Sequence, residues 1–509
     1  MNCGTCDPSI DRTAEASSHG GPQTMVMEES TLQTFDSQLR IGLIGLGLDA
    51  YWPQFDGLKE RLQGYLQVVQ QKVTTAARTV VSLGLVDSTD KAIRAGHACR
   101  TEDIDILLIY VTTYTLSATV LPVIQRAKVP VILLNLVPEA AIDYVKFNGM
   151  GDRTAMTGEW LAYCAACPVP EIANVLRRLD IPFHQVTGML ERDPECWNTL
   201  EEWLKAAEVV KTMAHSRLGL MGHYYGGMLD IATDLAQVSG RFGTVIEMLE
   251  VDHLSALRRD VTSEETAQKV QQIHHFFAVD EDCAPDEVTR AAATAVALER
   301  MVGEKSLDML AYYYMGSGIA ENENTMSSII LGTSMLTGTG TPVAGEYEVK
   351  NVLAMKILDE LGAGGSFTEY YAMDFLEDLV LMGHDGPGHM HIAQDRIRVR
   401  PLRVYHGKVG RGLSVEMAVK HGPVTLLSVV EDKQRGFSLL VAEGESVPGP
   451  ILEIGNTNSR YRFPIGARRF SEEWNARGPA HHCAVGIGRR ASQLQKIADL
   501  MGLNFHQVC

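Results

Sequence analysis

Runs of apolar residues and amphipathic stretches alternate through the first part of the chain. Leu39-Arg40-Ile41-Gly42-Leu43-Ile44-Gly45 reads as a buried strand, and a helix-like stretch follows over about 56–73. A second strand is expected over 79–86, a helix near 91–99, and further strands over 104–111 and 129–136. Strands alternating with helices predict a parallel sheet. The pattern restarts near 211–215: Ser216-Arg217-Leu218-Gly219-Leu220-Met221-Gly222 and the run 245–251 read as strands of a second unit of the same kind. Amphipathic helices are expected over 263–277 and 284–302. The stretch 321–341, rich in Gly, Ser, Thr and Asn, is expected to be a loop lining a cleft.

The texture changes after about residue 366. Short β-like runs recur at 396–404, 413–418, 424–431, 436–443 and 451–454, separated by turns such as His421-Gly422-Pro423. These predict an antiparallel barrel or sandwich, closed by a helix over 489–501. The fold class is therefore α/β: two Rossmann-like α/β domains (39–212 and 213–365) followed by a mostly antiparallel β-barrel domain (366–509). Residues 1–38, rich in small and polar residues, are expected to be a disordered tail.

Composition narrows the function. The chain has 509 residues, 45% hydrophobic and 21% charged, with a formal charge of −18. That balance disfavours a nucleic-acid surface or an anionic membrane as partner, because both need clustered Lys and Arg. The apolar region 104–138 is broken by polar residues and does not suit a membrane span. No secretory leader is visible, and the nine scattered cysteines read as reduced thiols in a cytoplasmic protein. Cys3-Gly4-Thr5-Cys6 and Cys164-Ala165-Ala166-Cys167 lack the spacing of a paired zinc site. Gly45-Leu46-Gly47-Leu48-Asp49-Ala50 matches the loose dinucleotide fingerprint. However, the acid ending the next strand, Asp87, lies about twice as far on as a ribose ligand should. A plain glycine turn is the competing reading.

The candidate chemistry lies between 341 and 391, with one further contribution near 480. Glu346 follows a Gly- and Thr-rich loop and precedes apolar residues at helical spacing, so it sits at or just before a helix start. Glu369 interrupts the aromatic, β-like run Phe367-Thr368-Glu369-Tyr370-Tyr371. A carboxylate buried there needs a metal or a basic group beside it. His384 ends the apolar run Leu379-Val380-Leu381-Met382-Gly383, well placed to ligate. His389 and His391 are a second possible pair. Of His481 and His482, only one can point inward if that segment is extended. Two carboxylates and two imidazoles suit a divalent ion such as Mn²⁺ with open positions for sugar hydroxyls. Carboxylates beside such an ion can move a proton between adjacent carbons.

The order Ala344-Gly345-Glu346, Gly365-Ser366-Phe367-Thr368-Glu369, Gly383-His384 and Ala480-His481-His482 resembles the L-arabinose isomerase family, within a wider group that includes L-fucose isomerase. Gly151-Asp152-Arg153 resembles a segment of that family's first domain. The resemblance implies that Glu346, Glu369, His384 and His482 bind Mn²⁺ and that Glu346 and Glu369 are the catalytic proton-transfer pair. It also implies a homo-oligomer, trimer or hexamer, with sites at subunit interfaces. Departures surround the ligands: Tyr347-Glu348 follow the first glutamate, Thr368 and Tyr370 flank the second, and Asp385-Gly386-Pro387-Gly388-His389 follow the first histidine. The expected function is a metal-dependent aldose–ketose isomerase acting on a free sugar, L-arabinose to L-ribulose or a related aldose, by enediol proton transfer. The alternatives are a non-catalytic sugar-binding or regulatory homologue and a nicotinamide-dependent oxidoreductase.

Overall fold

In the first sheet, continuous β-branched and leucine-rich runs form the inner strands, which are buried on both faces as a covered parallel sheet requires, while the two edge strands are only partly covered. The computed structural model describes residues 38–402, 410–433 and 436–509. The expected tail, Gln38 apart, and the Cys3/Cys6 pair lie outside them. The first sheet is β1 (Leu39–Leu46), β2 (Arg78–Val86), β3 (Ile106–Val111), β4 (Val131–Val137) and β5 (His184–Met189). Its order is β2-β1-β3-β4-β5, all parallel. Helices Leu58–Val73, Thr89–Thr101 and Ser117–Ala127 cross between successive strands, as the sequence pattern predicts. Asp87, just past β2, accepts from Trp52 Nε1 (2.9 Å) and Lys91 Nζ (2.6 Å). Its carboxylate is thus engaged within the fold, in keeping with a structural glycine turn after β1.

The second sheet comprises β6 (Arg217–Gly222), β7 (Val245–Leu249), β9 (Met309–Tyr313) and β10 (Val343–Ala344), in the parallel order β10-β9-β6-β7. The short β8 (Ala278–Val279) instead joins β13 (Arg398–Leu402) and β14 (Gly412–Glu416) in a small sheet. Helices Ser263–Phe276 and Pro285–Lys305 fall where the amphipathic pattern put them.

Residues 321–341 do not form the expected loop. They form helices Ala320–Met326 and Ile330–Gly338, the second buried along its whole length. Small residues here allow close packing: a Cβ on Gly332 would meet Leu298 and Ala295 inside 3.0 Å. The hydroxyls of Thr333 and Ser334 bond back to carbonyls of the preceding turn, so burial leaves them satisfied.

The third sheet closes on itself. β15 (Gly422–Asp432), β18 (His482–Ile487), β11 (Ser366–Asp374), β12 (Leu379–His384), β17 (Thr457–Arg462) and β16 (Gly436–Val447) pair in that order, and β15 pairs with β16 to complete an antiparallel six-stranded barrel. The short terminal strand β19 (Asn504–Gln507) lies parallel on β16, after helix Ala491–Met501. The run 451–454 is not a strand; it is largely exposed beyond Pro448-Gly449-Pro450, and the strand begins at Thr457. Among the described residues no helix is long and apolar enough to cross a membrane.

Candidate metal centre

Neighbouring barrel strands bring three of the four predicted side chains together. Glu369 on β11 is directly opposite His482 on β18 and opposite Gly383 on β12, so His384 follows one residue later at the end of β12. Cross-strand partners project from the same face of a sheet, which sets Glu369 beside His482; His384, one step past Gly383 at the strand's last residue, comes to them with its ring centroid 5.1 Å from that of His482. Phe367, two residues before Glu369, packs against both imidazoles, with ring centroids 4.3 Å from His384 and 4.5 Å from His482. A β-bulge at Tyr371 then re-aims the strand, a device common beside active sites. It turns Tyr370 toward Phe470, whereas the Tyr371 hydroxyl accepts from Asn456 Nδ2 at 2.9 Å.

Glu346 arrives from the other direction. It lies just past β10, at the C-terminal edge of the second parallel sheet, where open α/β sheets present their ligand sites. Glu346 and Tyr347 both have left-handed backbones, φ 56° and 63°. Each such residue costs about 1–2 kcal/mol. The turn is held by the Tyr347 N–H donating to the Tyr312 carbonyl (3.0 Å) and by Tyr347 packing edge-on against Tyr224.

The result is two overlapping groups that share His482: Glu346, His481, His482 and Glu369, His384, His482, with candidate donor atoms in each group within 4.8 Å of one another. His482 Nε2 lies 3.3 Å from Glu346 Oε2 and 4.0 Å from Glu369 Oε2. All four residues expected from the sequence therefore meet. His389 and His391 do not join them: His389 is buried with Nε2 3.5 Å from Asp359, and His391 is exposed.

Three further residues shape the site. Glu348, fully buried, approaches His482 Nδ1 with Oε2 at 3.5 Å. Burial alone would depress the His482 imidazole, but the carboxylates of Glu346 and Glu348 outweigh it and push it up to about 9. His481, expected to point away, also reaches the cluster: its Nε2 lies 3.8 Å from Oε2 of both glutamates. It can do so because β18 starts only at His482, which leaves His481 free of strand alternation. Asp230 takes hydrogen bonds from the His481 ring Nδ1 (2.6 Å) and backbone N–H (3.0 Å). Burial would raise the Asp230 carboxyl, and these two bonds bring it below the ordinary value. The acid two residues after Glu346 was visible in the sequence; the pairing with Asp230 had no local signal.

The donor set fits a divalent cation. His482 Nε2 is buried and faces carboxylate oxygens, with Glu346 Oε2 at 3.3 Å and Glu369 Oε2 at 4.0 Å. Mixed imidazole and carboxylate donors, with a carboxylate behind one imidazole, are the usual shell of a borderline-hard ion.

Two parallel α/β sheets and a closed barrel thus frame a candidate metal site, with acids and imidazoles gathered between a sheet edge and the barrel rim. Residues 364–504 match the family described as L-arabinose isomerase C-terminal domain. The chain is also 20% identical over 336 residues to the L-arabinose isomerase of Aeromonas salmonicida (strain A449), covering 64% of this chain and 67% of that protein. Together these matches support a member of the arabinose isomerase family. Two solved structures align with the chain at low TM-score. A GDSL-like lipase from Bacteroides thetaiotaomicron VPI-5482 gives 0.20 (13% identity, 35% of this chain and 92% of that one). A periplasmic solute binding protein from Actinobacillus succinogenes 130z with bound D-allose gives 0.16 (11% identity, 60% and 83%). Such scores carry no argument about this chain.

Proposed function

We propose that this chain is a metal-dependent aldose–ketose isomerase whose divalent ion, Mn²⁺ or a similar cation, is held by Glu346, Glu369, His384 and His482. The observation that carries the reading is the convergence of those side chains, from the edge of the second parallel sheet and from three barrel strands, around the buried Nε2 of His482. A divalent ion at this position would polarise a sugar carbonyl and its neighbouring hydroxyl. Glu346 and Glu369 come from different elements and both face His482 Nε2, at 3.3 and 4.0 Å. One takes the proton from the carbon bearing the hydroxyl, and the proton returns to the adjacent carbon through the enediol, while the hydroxyl proton passes to the oxygen that had been the carbonyl. Glu348 holds His482 from behind, and Phe367 keeps water from the inner faces of both imidazoles. Glu369, with 30% of its side chain exposed, and His481, with 36%, form the open side through which a sugar enters.

The neighbourhood differs from the family pattern at Tyr347-Glu348, at Thr368 and Tyr370, and along Asp385-Gly386-Pro387-Gly388-His389, so the reaction class is assigned ahead of the sugar; L-arabinose is the first candidate. The reading also takes the protein as a homo-oligomer, tested by its mass in light scattering. The decisive assay is ketose formation by chelator-stripped protein, with and without Mn²⁺, over a panel of L- and D-aldoses. Manganese-dependent product from one sugar supports the proposal. Manganese binding with no product from any sugar refutes it in favour of a binding role.

A further inference from the structure

His481 and His482 are consecutive in the chain, and their rings lie against each other with centroids 3.8 Å apart and planes tilted by 42°. Each has its Nδ1 against a carboxylate: Glu348 for His482 (3.5 Å) and Asp230 for His481 (2.6 Å). Both carboxylate-bearing segments meet the ammonium of Lys350, which is 4% exposed. Lys350 Nζ lies 3.9 Å from Glu348 Oε1 and donates to the backbone carbonyls of Asp230 (2.6 Å) and Ala232 (3.1 Å). The loop after β6 that carries Asp230 is thereby clamped to the start of helix Val349–Glu360, the same turn that carries Glu348. One oxygen of Asp230 accepts both the backbone N–H and the ring N–H of His481. Two bonds from one residue to one atom fix the side-chain rotamer and the ring tautomer together.

We propose that Asp230 is a positioning residue. It holds His481 with hydrogen on Nδ1 and aims the bare Nε2 at the gap between Glu346 and Glu369, where that nitrogen accepts a hydrogen bond from a sugar hydroxyl instead of joining the metal shell. The inference rests on the isomerase reading above. His482, fully buried and 3.3 Å from Glu346, is the inner imidazole; His481, one-third exposed and 3.8 Å from both glutamates, is the outer one facing the entry side. A carboxylate behind an imidazole that sets its tautomer is a recurrent device, and its loss costs on the order of 10–100-fold in the function served.

The test uses the full chain with D230A and D230N. Asp230 has 40% of its side chain exposed, so both variants are expected to fold, as melting curves will show. In metal-free protein labelled with ¹⁵N-histidine, the His481 ring signals, assigned by their loss in H481Q, show hydrogen on Nδ1 in the wild type and lose that preference in D230A. Manganese affinity by calorimetry stays within about twofold of wild type in D230A, because Asp230 touches none of the four proposed ligands, and kcat/KM on the accepted aldose falls by at least about tenfold. D230N lies between the two, since its amide oxygen still accepts from Nδ1–H. Unchanged ring signals or wild-type turnover in D230A overturns the proposal. A tenfold loss of manganese affinity in D230A also overturns it, by placing His481 in the metal shell. If no aldose is converted by the wild type, the isomerase reading fails, and the ring signals alone decide whether Asp230 sets the imidazole.

Discussion

Replacing Glu348 by Gln isolates the carboxylate behind His482. Glu348 and His482 have no exposed side-chain surface, and Oε2 lies 3.5 Å from Nδ1. Gln keeps the shape of Glu, so no cavity is opened, and Lys350 retains its two carbonyl acceptors. What is lost at His482 is one charge-assisted contact in a dry setting, worth about 1.5–3 kcal/mol; the longer 3.9 Å approach to Lys350 is lost with it, and the metal-free melting temperature reports that part. At about 1.4 kcal/mol per decade, this corresponds to a fall of roughly 10–100-fold in manganese affinity, the usual cost of losing a partner behind a metal-bound histidine. Calorimetric titration of chelator-stripped E348Q with Mn²⁺ measures it directly, with the metal-free melting temperature as control. Wild-type affinity in E348Q, with a shifted melting temperature, would refute the reasoning. Glu348 would then serve only as a buried counter-charge to Lys350.

E369Q should abolish ketose formation and weaken manganese binding while leaving the circular dichroism spectrum unchanged; unchanged activity would sink the site assignment. A Cβ on Gly383 would run into the Thr457 carbonyl and come 2.8 Å from Asn458 Cα, both backbone. G383A should therefore push β12 off β17, lower the melting temperature by the equivalent of about 1–3 kcal/mol, and weaken manganese binding through the displaced His384. The carboxyl of Glu265, bonded to the Thr262 N–H and hydroxyl and to Arg300, is pulled down to about 2. Since the folded value lies below the ordinary one, its contribution is present above about pH 4.5 and is lost as pH falls toward 2. The melting-temperature gap between wild type and E265Q should narrow on acidification across that window; a constant gap would contradict the assignment.

Legibility followed how local the physical signal was. The first sheet could be read because its strands are continuous apolar runs between amphipathic helices, a pattern set within each segment. Glu369 could be read because a charge in an aromatic strand demands a partner wherever the strand goes. Residues 321–341 misled because Gly, Ser and Thr favour loops in isolation, whereas here they let the Ile330–Gly338 helix pack tightly against Ala295 and Leu298. Glu346 was visible as an acid near a helix start, but the two left-handed residues that aim it were not. His481 was set aside by strand alternation, which does not apply to a residue lying just before the strand.

The partners of the two histidines show the limit most clearly. Asp230 is 251 residues from His481, and only the folded chain brings them together. Glu348 reads locally as an acid at the first position of a helix, where the dipole would favour it. Yet its side chain makes no capping bond there and turns to His482 instead. The same turn supplies Lys350, which reaches the loop of Asp230. One short segment, Glu346-Tyr347-Glu348-Val349-Lys350, thus places a carboxylate in the candidate site and, through its next two charges, braces both imidazoles from behind. A change in this segment should therefore register at His481 and His482 together, although neither is near it in sequence.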